Sequence, residues 1–363
     1  DSVRSCLASP ERARRSLALL LSQQLRQAAL ARFEDDDDLP FAASASTAML
    51  LPPAHPLALT VHREDLDGLA FAGLDTVAGV DISFRDRNGD EGVAVLAVLS
   101  YPELKVRPSL ELESRAQPLT LAPSQLVTSL SRTVSLASTP YIHSFLSFRE
   151  AHFFVDLVAE LRRTRPDVPT PQVLFVDGNG RWHPRQAGSA VAVGVETGLP
   201  TVGIGACFLS LTVSRTGRLL TVLRSEEYHP LHAPLFDSTS SPAIPPDDPP
   251  PFPINFLTSQ RGMRAACQAL LEQRGDWIGL APPSSTEHWG AVRHLSRLSP
   301  LHLVHLLNMH RRPQAFLSSP SRNAQNPIFV SPGHRLSLET CVRLALACTR
   351  EGKIPEPVRA QID

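Results

Sequence analysis

Val-Leu-Phe-Val-Asp-Gly-Asn-Gly-Arg-Trp-His-Pro-Arg, residues 173–185, is the stretch from which the architecture of this chain can be worked out. The apolar run at 173–176 suits a central strand covered on both faces. It stops on a single charge, Asp177, at the carboxyl end of that strand, where open α/β sheets bind their ligands. Gly178 and Gly180 allow a sharp turn or a close backbone approach. Two readings stay open on these residues alone. Asp177 either closes a strand before a turn or serves a site at the sheet edge.

Working outward, Val-Ala-Gly-Val-Asp-Ile-Ser-Phe (77–84) and Gly-Val-Ala-Val-Leu-Ala-Val-Leu-Ser (92–100) read as two strands joined by the turn signal Asn88-Gly89-Asp90. The alternating segment 105–114 supplies a third. A helical pattern at 147–162, with Glu150 in its first turn, precedes the strand that ends at Asp177. Helix 187–196 and a short strand at 201–205 follow it. A meander followed by β-α-β units predicts an α/β protein, a mixed sheet flanked by helices. That is the order of a ribonuclease-H-like fold, here with Pro/Ser-rich loop insertions.

The flanks fit around this centre. Residues 10–33 form a helix with leucine and alanine on one face and arginine and glutamine on the other. Asp35 to Asp38 reads as a solvated acidic loop rather than a metal site. Residues 209–224 suggest a hairpin, 257–275 a helix, and 326–330 a strand leading into Ser331-Pro332-Gly333-His334. A helix at 336–349 and Ile354-Pro355-Glu356-Pro357 end the fold. One domain is expected over 1–363, carrying flexible insertions at 39–57, 229–253 and 282–325. The second of these is poor enough in apolar residues to be disordered, and exposed loops lengthen at little cost.

With 363 residues and 42% hydrophobic composition the chain can bury a substantial core. A formal charge of −1 gives no global basic field. The five cysteines form neither a C-x-x-C pair nor a secreted disulfide framework, so an intracellular location, nucleus or cytoplasm, is expected. The Arg- and Leu-rich first thirty residues suit an amphipathic helix of the fold better than a transit peptide. No apolar run spans a bilayer, so no membrane partner is expected. A monomer is the default.

Three acids stand out by position: Asp81 inside an apolar strand, Glu150 at a helix start and Asp177 at a strand end. A carboxylate in an apolar strand is costly unless it is paired or binds a metal. Two on neighbouring strands repel, and a divalent cation relieves that. Oxygen donors suit Mg²⁺ or Mn²⁺. Taken singly, each acid has a structural alternative, such as Glu150 answering its helix dipole. His334, after a Pro-Gly turn, is either a satisfied loop histidine or a group beside a phosphate.

Six ordered blocks carry a resemblance: V-A-G-V-D-I-S-F (77–84), P-Y-I-H-S-F-L-S-F-R-E (140–150), V-D-G-N-G-R-W-H-P-R (176–185), L-P-T-V-G-I-G (199–205), S-P-G-H-R-L-S-L-E-T (331–340) and I-P-E-P-V-R (354–359). In this order they resemble the endonuclease V family. The resemblance implies a ribonuclease-H-like nuclease that cuts one phosphodiester 3′ of inosine in single-stranded RNA or DNA, using Mg²⁺, with Mn²⁺ able to substitute. It implies metal binding by Asp81 and Asp177, an acidic set completed by Glu150, and His334 beside them. Pro140, Tyr141 and Ile142 would form a wedge that fills the stack after the base leaves. Gly178, Gly180 and Gly203 would face the flipped base, with a backbone N–H reading its carbonyl, and His183 and Arg185 would contact substrate.

Departures from the family pattern are specific. His143 and Ser144 follow Ile142 where the family has Pro or Ser and then Gly. Ala192 stands in place of a family histidine, and Ala206 in place of a lysine expected near the phosphate. Two other functions remain open: a catalytically weak inosine-nucleic-acid-binding protein, and a structure-specific nuclease of the same fold.

Overall fold

The structure, a computed structural model, describes residues 10–45, 49–51, 61–85, 90–104, 128–137, 139, 142, 144–205, 264, 267, 270–271, 274–280, 287–293, 327–350 and 354–359. The segments 105–114, 209–224 and 229–253, and Pro140, Tyr141, His143 and Ala206, lie outside them, so the expectations attached to those residues do too.

In chain order the elements are α1 Pro10–Leu30, β1 Ala42–Ala43, β2 Met49–Leu51, β3 Val61–Arg63, β4 Phe71–Ala72, β5 Thr76–Phe84, β6 Glu91–Ser100 and β7 Thr128–Ser135. There follow α2 Ser147–Thr164, β8 Val173–Asp177, α3 Ser189–Thr197, β9 Thr201–Gly205, β10 Asp276–Leu280, β11 Gly290–Arg293, β12 Ile328–His334, α4 Leu338–Ala347 and α5 Glu356–Arg359. One ten-stranded sheet runs β2-β3-β10-β11-β12-β9-β8-β5-β6-β7, and β1 pairs with β4 apart from it. β5, β8 and β9 are parallel neighbours, and the remaining ladders are antiparallel. This is the mixed, open sheet that the order of elements predicts.

Period-two alternation sorts side chains to the two faces. From β5 and β8, Ala78, Val80, Ile82, Leu174 and Val176 share a core with Phe154, Leu157 and Val158 of α2 and with α3. Val77, Val173 and Phe175 face the other side, against Val342 and Leu346 of α4 and Val358 of α5. β8 is buried on both faces from Val173 to Val176, which is why that run has no polar residue until Asp177. α5 packs on β5, β6 and β8, on the side that Asp81 and Asp177 share by alternation with Val77 and Val173.

Among the described residues the antiparallel partner of β6 on its outer side is β7. β11 lies within 282–325, so the insertion reading fails at Gly290–Arg293, a fully buried strand between β10 and β12. β2 similarly adds an edge strand inside 39–57. Among the described residues no helix is long and apolar enough to cross a membrane.

Candidate active site

Asp81 and Asp177 come together because β5 and β8 run parallel in a register that pairs Val80 with Val176. Each acid is the next residue on its strand. Their carboxyl groups are close enough to act on one another's ionisation. Burial raises Asp177 well above the ordinary carboxylate range, and the nearby charges of Asp81 and Glu150 add to the effect. Asp81 is raised by burial and partly offset by the Ile82 N–H, which donates to its Oδ1 at 2.7 Å. Glu150, in the first turn of α2 and 8% exposed, is pushed up to about 7 by burial, with Arg149 opposing and Asp81 reinforcing. The structure therefore brings the three predicted acids within electrostatic reach. Among the described residues no three acidic, histidine or cysteine side chains converge closely enough to grip an ion as they stand.

The turn after Asp177 is stitched down rather than open. Gly178 has φ 129, a conformation that glycine adopts without penalty, and its N–H donates to Ile204 O at 2.8 Å. The Gly180 N–H donates to Ser331 Oγ at 2.8 Å, and a side chain there would strike Pro332 O. Both amides are engaged within the protein, to Ile204 and Ser331. The room at Gly180 is taken by β12, and this is what Ser331-Pro332 of the fifth sequence block does. Gly203 sits between Val176 and Ser331 in the sheet, and the backbone of Gly178–Gly180 occupies the place of its side chain.

His183 and Arg185, expected to contact substrate, have partners within the protein. Both are buried and turned inward to Ser144 instead of outward to a phosphate. His183 Nδ1 accepts from the Arg185 N–H at 3.2 Å, which leaves the proton on Nε2 to donate to Ser144 O at 2.9 Å. Arg185 Nη2 donates to Ser144 O at 2.5 Å and Oγ at 2.9 Å, Nε donates to Gln24 Oε1, and the guanidinium lies 4.3 Å over the Phe145 ring. Burial brings Arg185 down to about 10. Ile142, the described member of the expected wedge, closes a turn by accepting from the Phe145 N–H at 2.9 Å.

Ser144 explains one departure from the family pattern. Its φ is 63, the left-handed region that favours glycine. The strain, about 1 kcal/mol, is offset by the Oγ contact with Arg185, which contributes about the same. Ser144→Ala keeps the strain and loses the contact, so it should lower unfolding free energy by about 1 kcal/mol. Ser144→Gly loses both and should be nearly neutral. Urea unfolding of the two variants checks this, and equal destabilisation would refute it.

His334 is not beside the acids. β12 pairs with β9 so that His334 lies opposite Thr201, which lies opposite Leu174, whereas Asp177 lies opposite Ile204. Three residues along the strands separate the two levels, about 10 Å, together with two strand spacings across. His334 Nδ1 instead accepts from the Arg32 N–H at the end of α1 at 3.2 Å. The Asp35–Asp38 run is likewise no free loop. Asp35 accepts from the Ser337 N–H and hydroxyl and from Thr340 Oγ1, and Asp36 and Asp38 pair with Arg335. The G-H-R-L-S-L-E-T block thus fastens the segment after α1 to the sheet and to α4, whose N-cap is Ser337.

Sequence reasoning missed Gln24, which is fully buried at the centre of this arrangement. The signal was there: Gln24 follows Leu21 by three residues, on the apolar face of an amphipathic helix.

Three kinds of similarity accompany this geometry. A family model described as Endonuclease V matches residues 116–228 and 297–361. The human Endonuclease V is 32% identical over 290 residues, covering 80% of this chain and 70% of that protein. The mouse Endonuclease V is also 32% identical over 290 residues, and the match spans 58% of its length. The crystal structure of the catalytic domain of human Endonuclease V superposes with a TM-score of 0.56 at 27% identity, covering 95% of this chain and 92% of that one. A Ciona intestinalis Endonuclease V, solved in complex with a 23mer DNA containing an inosine followed by a ribo-adenosine, shares the fold with a TM-score of 0.53 at 20% identity, covering 95% and 93%.

Proposed function

Because this chain belongs to the endonuclease V family and is by that membership an endonuclease, we propose that it hydrolyses the phosphodiester one nucleotide 3′ of inosine in RNA or DNA, with Mg²⁺ as cofactor. The observation that carries the proposal is the Asp81–Asp177 carboxyl pair, set side by side by the parallel register of β5 and β8, with Glu150 in charge range. The Ciona intestinalis relative, crystallised on inosine-containing DNA, supports inosine as the recognised base.

The donor chemistry fits a hard dication. Two carboxyls forced together in a desolvated position cannot both ionise unless a cation comes between them, and their oxygens are the ligands that Mg²⁺ and Mn²⁺ prefer. Asp81 and Asp177 would hold the metal, and Glu150 would add negative charge from the α2 side. When bound, the ion would supply water activation and stabilisation of the leaving oxygen. The protein's own contribution is orientation. The strands fix the two aspartates, the stitched turn at 178–181 keeps the strand end from moving, and Ile142 of the expected 140–142 wedge is held by the Phe145 N–H.

Neither arginine of the 176–185 block is free to replace the lysine that the family pattern expects where Ala206 stands. Arg185 spends its donors on Ser144 and Gln24, while Arg181 pairs with Glu287 and Gln186. Ala206→Lys should therefore raise kcat/KM on the order of tenfold by restoring a cation near the phosphate. No change in steady-state cleavage would sink that idea.

The test of the function is cleavage of matched single-stranded RNA and DNA oligonucleotides, each with one inosine or none, in Mg²⁺. A product one bond 3′ of inosine is expected. Equal cutting of oligonucleotides lacking inosine would overturn the base specificity and favour a structure-directed nuclease. Inosine-dependent binding without cutting would favour a binding protein.

A further inference from the structure

The Ile142–Phe145 turn is held from outside the sheet by α1. Gln24 donates from Nε2 to Ser144 O at 3.1 Å and to Ala187 O at 3.2 Å, and its Oε1 accepts from Arg185 Nε. One buried amide therefore spans two separate segments. Ser144 belongs to the turn that carries the expected wedge. Ala187 lies on the stretch that runs from Asp177 to α3. A small apolar cluster of its own reinforces the junction: Leu21 and Phe145 are buried together, with Ala18, Leu20, Ile142 and Phe148 packed around them.

We infer that Gln24 is a positioning residue that sets the wedge turn relative to the acid pair, so that α1 is part of the substrate-engaging apparatus. The inference rests on the functional reading above, in which residues 140–142 are the wedge. The chemistry at this point requires glutamine. Three polar partners, two carbonyls and one guanidinium, need two donors and one acceptor on one short group. Glutamate keeps the acceptor but turns a carboxylate toward two carbonyl oxygens. Methionine matches the volume and offers no donor. Asparagine is one methylene too short to reach both sides. Ser144 O also receives His183 and Arg185, so loss of Gln24 releases the turn without cutting it loose.

Displacement of the wedge by even about 1 Å misplaces the scissile phosphate, and such errors far from the chemistry cost up to about 10²-fold in rate. Gln24→Glu and Gln24→Met should therefore lower kcat/KM on inosine-containing RNA or DNA about tenfold or more. An oligonucleotide with 2-aminopurine beside the inosine reports base extrusion, and its Mg²⁺-dependent fluorescence rise should shrink in both variants. The Mg²⁺-induced rise in melting temperature reports the acid pair, and it should remain. Val342→Ala, on the buried face of α4, supplies a destabilised control that should keep the fluorescence change. Variants that cut and extrude like wild type would overturn the inference alone, as would a Val342→Ala control that loses extrusion to the same extent. Wild-type protein that leaves inosine substrates uncut would overturn the functional reading, and this inference with it.

Discussion

Asp177→Asn abolishes cleavage, with an expected loss on the order of 10³–10⁴-fold in kcat, while the metal-free variant melts higher than wild type at pH 8. The two effects have one cause. In the folded protein burial and the neighbouring Asp81 and Glu150 charges hold Asp177 well above its ordinary range. A carboxyl raised on folding stays protonated where the unfolded chain has already released its proton, so wild-type stability falls as pH rises past the ordinary carboxylate range. Asparagine keeps the shape and removes the charge. The stability difference should therefore grow from pH 5 to pH 8. Millimolar Mg²⁺ should reverse the order by raising the wild-type melting temperature and leaving that of the variant nearly unchanged. Calorimetry at two pH values, with and without Mg²⁺, checks the whole pattern. A variant less stable than wild type at pH 8 without metal would mean that the two carboxyls do not oppose each other.

The acid set was legible in the sequence because each member interrupts a strong local pattern. Asp81 breaks an apolar strand, Asp177 ends one, and parallel neighbours place such residues side by side. The roles of His334, His183 and Arg185 were not legible, for a different reason. A histidine after Pro-Gly is locally identical at either end of a sheet. Only the β9–β12 register shows that it lies at the level of Leu174 and not of Asp177. A basic residue beside a predicted site invites a phosphate, yet Arg185 is 6% exposed and its donors close a turn 41 residues away in sequence. The short strands β3, β10 and β11 were invisible because three to five residues carry too little periodicity, and polar residues such as Arg63, Asp276 and Arg293 sit within them. Asp276 and Arg63 neutralise each other across the β3–β10 ladder, so their charges, which argue against strands in the sequence, are what allow these strands to pair.

His334 offers the sharpest separation of a structural from a catalytic role. Burial, with Arg32 and Arg335 adding repulsion and Asp36 opposing, brings its pKa down to about 4. Its Nδ1 accepts a backbone N–H, which requires the unprotonated ring. The sign follows from the two states. Between pH 6.5 and about 4 the unfolded chain binds a proton at this histidine and the folded protein does not, so stability is lost as pH falls through that window. The loss is at most about 3 kcal/mol for a shift of this size. His334→Asn keeps an acceptor for the Arg32 N–H and cannot titrate. It should unfold within about 1 kcal/mol of wild type at pH 7.5 and surpass it near pH 4.5. With His334 at the opposite strand end from Asp177, kcat at pH 7.5 should change less than about threefold, far below the loss seen when a group acting on the reacting atoms is removed. A hundredfold fall in kcat with an unaltered pH–stability profile would return His334 to the catalytic centre and would require a β9–β12 register different from the one that fixes it here.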